Sequence, residues 1–137
     1  MSQPFFDHEK LDVYRVSIAF VAWTGDLLSG PLATCSLSAV KQLDRASTSV
    51  PLNIAEGNGK RSTKDRSRYL DTSRGSALES AACLDVLVAR RVLKASQINE
   101  GKALLVRVVG MLSKMVEKLS GVSDTRMLVC FRQACVK

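Results

Sequence analysis

The sequence predicts an all-α protein, an antiparallel up-down four-helix bundle. Four segments carry apolar residues at helical spacing, and none shows the alternation that is typical of a strand. The connections between the four segments are short, which favours antiparallel neighbours. A length of 137 residues suits one domain with one hydrophobic core. We therefore expect a single domain over residues 1–137, with the bundle in 7–120 and a tail in 121–137, long enough for a short helix.

Composition narrows the class of protein further. Apolar residues make up 46% of the chain and charged residues 24%, which excludes an intrinsically disordered protein. The formal net charge of +7 favours anionic partners.

The ends and the cysteines point to a cytoplasmic protein. The first residues lack the basic and apolar regions of a signal peptide, and no apolar run approaches the roughly 20 residues of a membrane span. Four scattered cysteines without a C-x-x-C pair predict free thiols, and with His8 as the single histidine we expect neither a metal nor a cofactor. These cysteines are Cys35, Cys83, Cys130 and Cys135.

The first helix is predicted over about residues 8–28. Asp7 is a candidate N-cap, and Phe6 precedes it where a hydrophobic staple would meet Leu11. Gly30 and Pro31 end the helix.

Two apolar stripes run along this first helix. We assign one to the core of the bundle, namely Leu11, Tyr14, Ile18, Val21 and Leu28. The other would expose Phe and Trp side chains, which a monomer rarely tolerates, so we assign it to a homo-oligomer interface. That interface consists of Val13, Val16, Phe20, Trp23 and Leu27. The alternative is that the tail, residues 127–136, covers this stripe.

The second helix is predicted over about residues 37–56, with Pro51 inside it. A proline removes one backbone donor, so it frees the carbonyl of Ser47 and should bend the helix. Hydroxyls of residues 47–49 could satisfy the freed group. The sequence Gly57-Asn58-Gly59 should supply the left-handed residue that closes the helix.

The third and fourth helices complete the bundle. The third is predicted over about residues 63–93, with Ser62 as its cap and many small side chains that allow close packing. The fourth is predicted over about residues 97–119, with Ser96 as its cap and Gly121 as its end.

Residues 43–59, read L-D-R-A-S-T-S-V-P-L-N-I-A-E-G-N-G, resemble the motif L-R-R-A-x-x-S-I-P-x-N-I-A-E-G-x-G of the 23S rRNA intervening-sequence proteins. The opening L-D-V-Y at 11–14 and several residues between 62 and 79 are also similar to that family. Pro51, Asn53, Glu56 and Gly57 are the structural residues of the shared motif.

The resemblance implies a four-helix bundle that assembles into a ring-like homopentamer. A related group with a similar fold, the accessory variability proteins of diversity-generating retroelements, works with a reverse transcriptase and binds nucleic acid. The resemblance thus raises RNA or DNA binding as a hypothesis for this chain.

A basic cluster at the start of the third helix is the candidate binding surface. Free N–H groups at a helix N-terminus already favour an anion, so phosphate is a natural ligand there. The alternative is an ordinary solvated face, and Tyr69 is the only aromatic nearby for base stacking. The cluster comprises Lys60, Arg61, Lys64, Arg66 and Arg68.

No set of residues suggests catalysis. We expect Glu56 and Glu79 to pair with Arg45, Arg68 or Arg74 and so fix helix register rather than act as a catalytic pair. The sequence therefore predicts a non-enzymatic, homo-oligomeric binding or scaffold protein that contacts RNA or DNA phosphates. The alternative is an adaptor for an acidic protein partner, without a nucleic-acid role.

Overall fold

The structure, a computed structural model, describes residues 3–121 and contains four α-helices and no strand within that range. They are α1 (Asp12–Ser29), α2 (Ser38–Asn58), α3 (Thr63–Ala89) and α4 (Ala95–Ser120). Both α1 and α3 pack against α2 and α4. The predicted all-α class with four helices is confirmed. In the described range, no helix combines the length and the apolar character needed to cross a membrane.

One hydrophobic core receives side chains from all four helices. Its largest fully buried members include Phe20, Leu43, Ile54, Leu84 and Leu112. Because every helix contributes side chains to the same interior, residues 12–120 share a single hydrophobic core.

The start of the first helix differs from the prediction. Residues Asp7–Lys10 form a short 3-10 helix, Leu11 is extended, and α1 begins only at Asp12. The carboxylate of Asp7 lies 3.1 Å from the amine of Lys10, and the Phe6 ring stacks on His8. Neither the predicted cap at Asp7 nor the staple forms, because the extended backbone of Leu11 interrupts the helical path.

The stripe of α1 that is buried most deeply is not the one predicted. Val13, Val16, Phe20 and Leu27 are at most 7% exposed and belong to the core of their own chain, with Trp23 packed against it. Their assignment to a subunit interface is therefore wrong. The stripe expected inside is only partly there: Leu11, Tyr14 and Leu28 are half-buried against the core, whereas Ile18 is 43% exposed. Both stripes are apolar, but the Phe and Trp rings offer more surface to bury, so the interior takes the stripe that carries them.

Helix α2 is continuous through Pro51, as predicted. The hydroxyls of Ser47 and Thr48 donate to the carbonyl of Asp44 rather than to the freed carbonyl of Ser47. The prediction that a left-handed residue within 57–59 ends α2 is also wrong. Gly59 has a φ of −82°, and its N–H donates to the carbonyls of Ala55 and Glu56.

Helix α3 begins as predicted, because the Ser62 hydroxyl accepts from the N–H of Asp65 at 3.1 Å. It ends four residues earlier than predicted, through a left-handed Arg91 with a φ of 60°. The N–H of Arg91 donates to the Val88 carbonyl and the N–H of Val92 to the Leu87 carbonyl, each at 2.9 Å. These two bonds form a Schellman motif with arginine where glycine is usual.

Helix α4 begins at Ala95 with Lys94 as its N-cap, so Ser96 lies in the first turn and is not the cap. The Gln97 side chain accepts from the N–H of Lys94 at 2.7 Å. The predicted end is confirmed, since Gly121 is left-handed with a φ of 66°. The tail from residue 122, with Cys130 and Cys135, lies outside the described residues.

Candidate nucleic-acid interface

The basic cluster sits where the end of α2 meets the start of α3. Gly57 sets the distance between the two helices, since a Cβ atom there would lie 2.9 Å from the Tyr69 Cβ and 3.4 Å from the Arg66 carbonyl oxygen. Any side chain at this position would push α3 away. The glycine of the sequence motif therefore places the N-terminal turns of α3, and with them the cluster, against α2.

Two of the five basic residues, Lys60 and Arg68, contact the ring of Tyr69. The Lys60 amine lies 5.0 Å from the centroid of the Tyr69 ring and the Arg68 guanidinium 4.9 Å from it, both within cation–π range. Arg68 also lies 3.6 Å from the carboxylate of Asp65. The ring contacts orient both cations, and the carboxylate of Asp65 partly offsets the charge of Arg68.

Arg66 is turned towards α2. It is half-buried, and its Nη2 donates to the side-chain oxygen of Asn58 at 3.4 Å. Its Nε is buried and has no hydrogen-bond partner among the described residues. Arg66 therefore links α2 to α3 and is not part of the exposed basic surface that the sequence predicted.

Arg61 and Lys64 are the open members of the cluster. Both side chains are exposed, and neither forms an ion pair within residues 3–121. They flank the N-terminus of α3, where the hydroxyl of Ser62 takes only one of the first backbone donors. Two exposed cations beside free N–H groups make this end of α3 attractive to an anion.

A groove runs from this surface towards the end of α4. It is open to solvent, has a volume of about 700 Å³, and offers hydroxyls and cations together. A phosphate could accept from both kinds of donor. Its lining consists of Thr63, Lys64, Ser67, Arg68, Asp71, Thr72, Leu119 and Ser120.

Pro51 and Asn53 of the motif lie in the part of α2 that is bonded to α3. The Asn53 amide donates to the carbonyl and hydroxyl of Ser49, whose hydroxyl lies 2.8 Å from that of Ser76 on α3. Pro51 is buried, and the Ser73 hydroxyl donates to the carbonyl of Val50, the residue before it, at 2.8 Å. These contacts make the motif a helix-packing element.

The expected carboxylate pairs do not form. Glu56 and Glu79 are exposed, Arg68 pairs with Asp65, and Arg74 donates to the Ser113 hydroxyl on α4 at 2.9 Å. The partner of Arg74 is therefore a serine on α4 and not one of the predicted glutamates, because the arginine side chain lies between α3 and α4.

Sequence reasoning also missed how Tyr69 organises the cluster. Lys60 and Tyr69 are nine positions apart on either side of a helix start, and only the tight passage from α2 to α3 brings them together. Within residues 3–121, no group of three or more His, Cys, Asp or Glu side chains is placed to hold a metal ion.

Comparison with known families gives one match. The model of a family described as 23S rRNA-intervening sequence protein matches residues 9–114, which is more than three quarters of the chain. A search of curated proteins found no significant match.

Proposed function

The chain belongs to the family of 23S rRNA-intervening sequence proteins, and on this basis we propose that it is a non-enzymatic, homo-oligomeric scaffold protein. In this proposal a ring of five copies contacts the phosphate backbone of RNA or DNA, without reading the base sequence. The free thiols of Cys35 and Cys83 suit a reducing compartment, so the proposal places the protein in the cytoplasm.

The order of contacts between helices supports an up-down arrangement. Going along α2 from Ser49 to Asn58, the partners on α3 go back from Ser76 to Arg66. Between α3 and α4, Arg74 bonds Ser113 and Asp85 pairs with Lys102. Both pairs of helices thus run in opposite directions, as in an antiparallel four-helix bundle.

The outer face of α1 supports assembly. No charged residue occurs between Arg15 and Asp26, although Ile18, Ala19 and Ala22 are exposed. Three helical turns without a charge on a protein surface are unusual unless another molecule covers them. We therefore assign the contact between copies to the side of α1 that carries Ile18, and not to the side with Phe20 that the sequence predicted.

The single observation that carries the binding proposal is the unpaired state of Arg61 and Lys64 at the N-terminus of α3. Exposed cations without ion-pair partners among residues 3–121 have no such pair to break when they meet a phosphate, and they release condensed counterions from the nucleic acid. Repetition of the pair around a ring would multiply the field.

Binding of nucleic acids of unrelated sequence at several salt concentrations tests the proposal. We expect similar affinity for single-stranded RNA and duplex DNA of arbitrary sequence, and a steep fall in affinity as salt increases. Light scattering on the same samples should give a mass near five chains.

Absence of binding at low salt would overturn the nucleic-acid part of the proposal. Binding of an acidic polypeptide but not of RNA or DNA would instead favour the adaptor for an acidic protein, since the same cations would attract it.

A further inference from the structure

Two separate apolar surfaces remain open on the described chain. The first, here called the α1 face, consists of Ile18, Ala19, Ala22 and Gly25. The second, here called the α3–α4 groove, is a cleft of about 150 Å³ between the middle parts of α3 and α4. The buried Ala77 and Leu105 lie beneath it, and the exposed Leu78 and Val106 form its edges.

We propose that the α1 face of one copy docks into the α3–α4 groove of the next, with Ile18 as the inserted side chain. This inference rests on the proposed assembly and names the two surfaces that would form it.

Size and shape support this pairing. A cavity of about 150 Å³ can hold benzene, so a cleft of this volume is also large enough for one isoleucine side chain. The residues around Ile18 are small, so the helix backbone can approach the groove closely. A Cβ atom at Gly25 would meet nothing within 4 Å in its own chain, so packing inside one copy does not explain this glycine.

Charge supports a second copy as the occupant. Copies with a net charge of +7 repel one another, so contact between them is favoured where the surface carries no excess positive charge. The α1 face carries no charge. The one charged residue that lines the groove, Lys102, is neutralised by Asp85 at 2.8 Å.

Some exposed charges beside the two surfaces are opposite in sign. Asp26 follows the α1 face along the helix, while on α4 Arg107 comes directly after Val106 and Lys114 lies five residues beyond Val109, both of which line the groove. All three side chains are exposed, and none takes part in an ion pair among the described residues. Opposite free charges at the edges would fix the orientation of the contact more than its strength.

The placement of the surfaces determines the kind of assembly. In the described part of the chain α1 and α3 are not neighbours, because each packs beside α2 and α4, so the α1 face and the groove lie on different sides of the molecule. A contact between two different surfaces is heterologous, and it produces a closed ring or an open filament rather than a twofold dimer.

Three variants of the full chain test the inference. Ile18→Glu disables the α1 face, Leu78→Glu disables the groove, and Leu52→Glu changes an exposed leucine on α2 that belongs to neither. By light scattering at micromolar concentration, the wild type and Leu52→Glu should be multimers, and each of the other two should be a monomer. Circular dichroism checks that helix content is retained. Ile18→Lys and Leu78→Lys repeat the test if a Glu variant unfolds.

Mixing the two monomeric variants gives the decisive result. Each retains the surface that the other lacks, so a 1:1 mixture should form one contact and stop at a dimer with twice the mass of a chain. A mixture that stays monomeric, or a single variant that stays multimeric, overturns this docking while the proposed assembly stands. A monomeric wild type overturns both.

Discussion

The indole ring of Trp23 on α1 occupies the space that a Cβ atom at Gly101 on α4 would need. The same indole stacks on Phe20, with 5.8 Å between ring centroids. The contact joins the first and last helices, which are the most distant along the chain.

Replacing Gly101 with alanine should therefore destabilise the protein. Overpacking of a tight contact costs about 1–3 kcal/mol, more than alanine gains from its higher helix propensity. Urea unfolding of Gly101→Ala measures the change. Gly75→Ala is the matched control, because a Cβ atom there would meet nothing within 4 Å, and it should stabilise α3 by up to about 1 kcal/mol. Equal effects of the two variants would contradict the tight contact.

Replacing Arg91 with glycine should stabilise the protein. Arg91 has a left-handed backbone, which costs a residue with a side chain about 1 kcal/mol relative to glycine. Thermal unfolding of Arg91→Gly should give a higher midpoint than the wild type. At Arg90, where φ is −80°, glycine should not stabilise. A lower midpoint for Arg91→Gly would mean that the arginine side chain contributes more than the strain costs.

Removing the Ser73 hydroxyl should loosen the packing of α3 on the proline-containing part of α2. The hydroxyl is fully buried, and its bond to the Val50 carbonyl joins the two helices. Ser73→Ala should lower the free energy of unfolding by about 1 kcal/mol, as measured in urea. Thr72→Ala, which removes an exposed hydroxyl bonded within α3, should have a smaller effect. The reverse order would show that the bond between helices adds no stability.

Stability should fall in alkaline solution because of Cys83. Burial raises the pKa of the Cys83 thiol, and the nearby negative charge of Glu79 raises this pKa further. The unfolded thiol ionises near pH 8.5, so the folded state retains its proton longer. The stability linked to this proton is complete below that pH and is lost as the pH rises towards the higher folded pKa. Between pH 7 and pH 10 the wild type should thus lose more free energy of unfolding than Cys83→Ala. An equal loss in both would contradict a raised pKa.

Local signals explain what could be predicted from the sequence. Ser62 and Gly121 act within one helical turn, so a cap and a left-handed end could be identified from their neighbours alone. The end of α3 could not, since nothing about Arg91 distinguishes it from a helical arginine until the chain turns towards α4. The two stripes of α1 were located correctly, but choosing the buried one requires knowledge of its partners, such as Gly101.

At the candidate site, too, local features could be predicted from the sequence, whereas contacts between helices could not. A run of basic residues beside a helix start is visible in the sequence. Which cations stay free depends on contacts between helices that bring Tyr69 to Lys60 and Asn58 to Arg66.

The location of phosphate binding at Arg61 and Lys64 is the central claim, and a charge-matched comparison tests it. The variant Arg61→Ala/Lys64→Ala removes two charges at the start of α3. The control Arg90→Ala/Lys94→Ala removes two exposed charges near its other end, about 40 Å away along a helix of 27 residues.

The measurement is the slope of log affinity against log salt concentration for one RNA. Each lost phosphate contact reduces the steepness by about 0.7–0.9. We predict a loss of roughly 1.4 to 1.8 for Arg61→Ala/Lys64→Ala and an unchanged slope for the control. Equal losses for the two double variants would show that binding follows net charge alone, and would contradict a site at the N-terminus of α3.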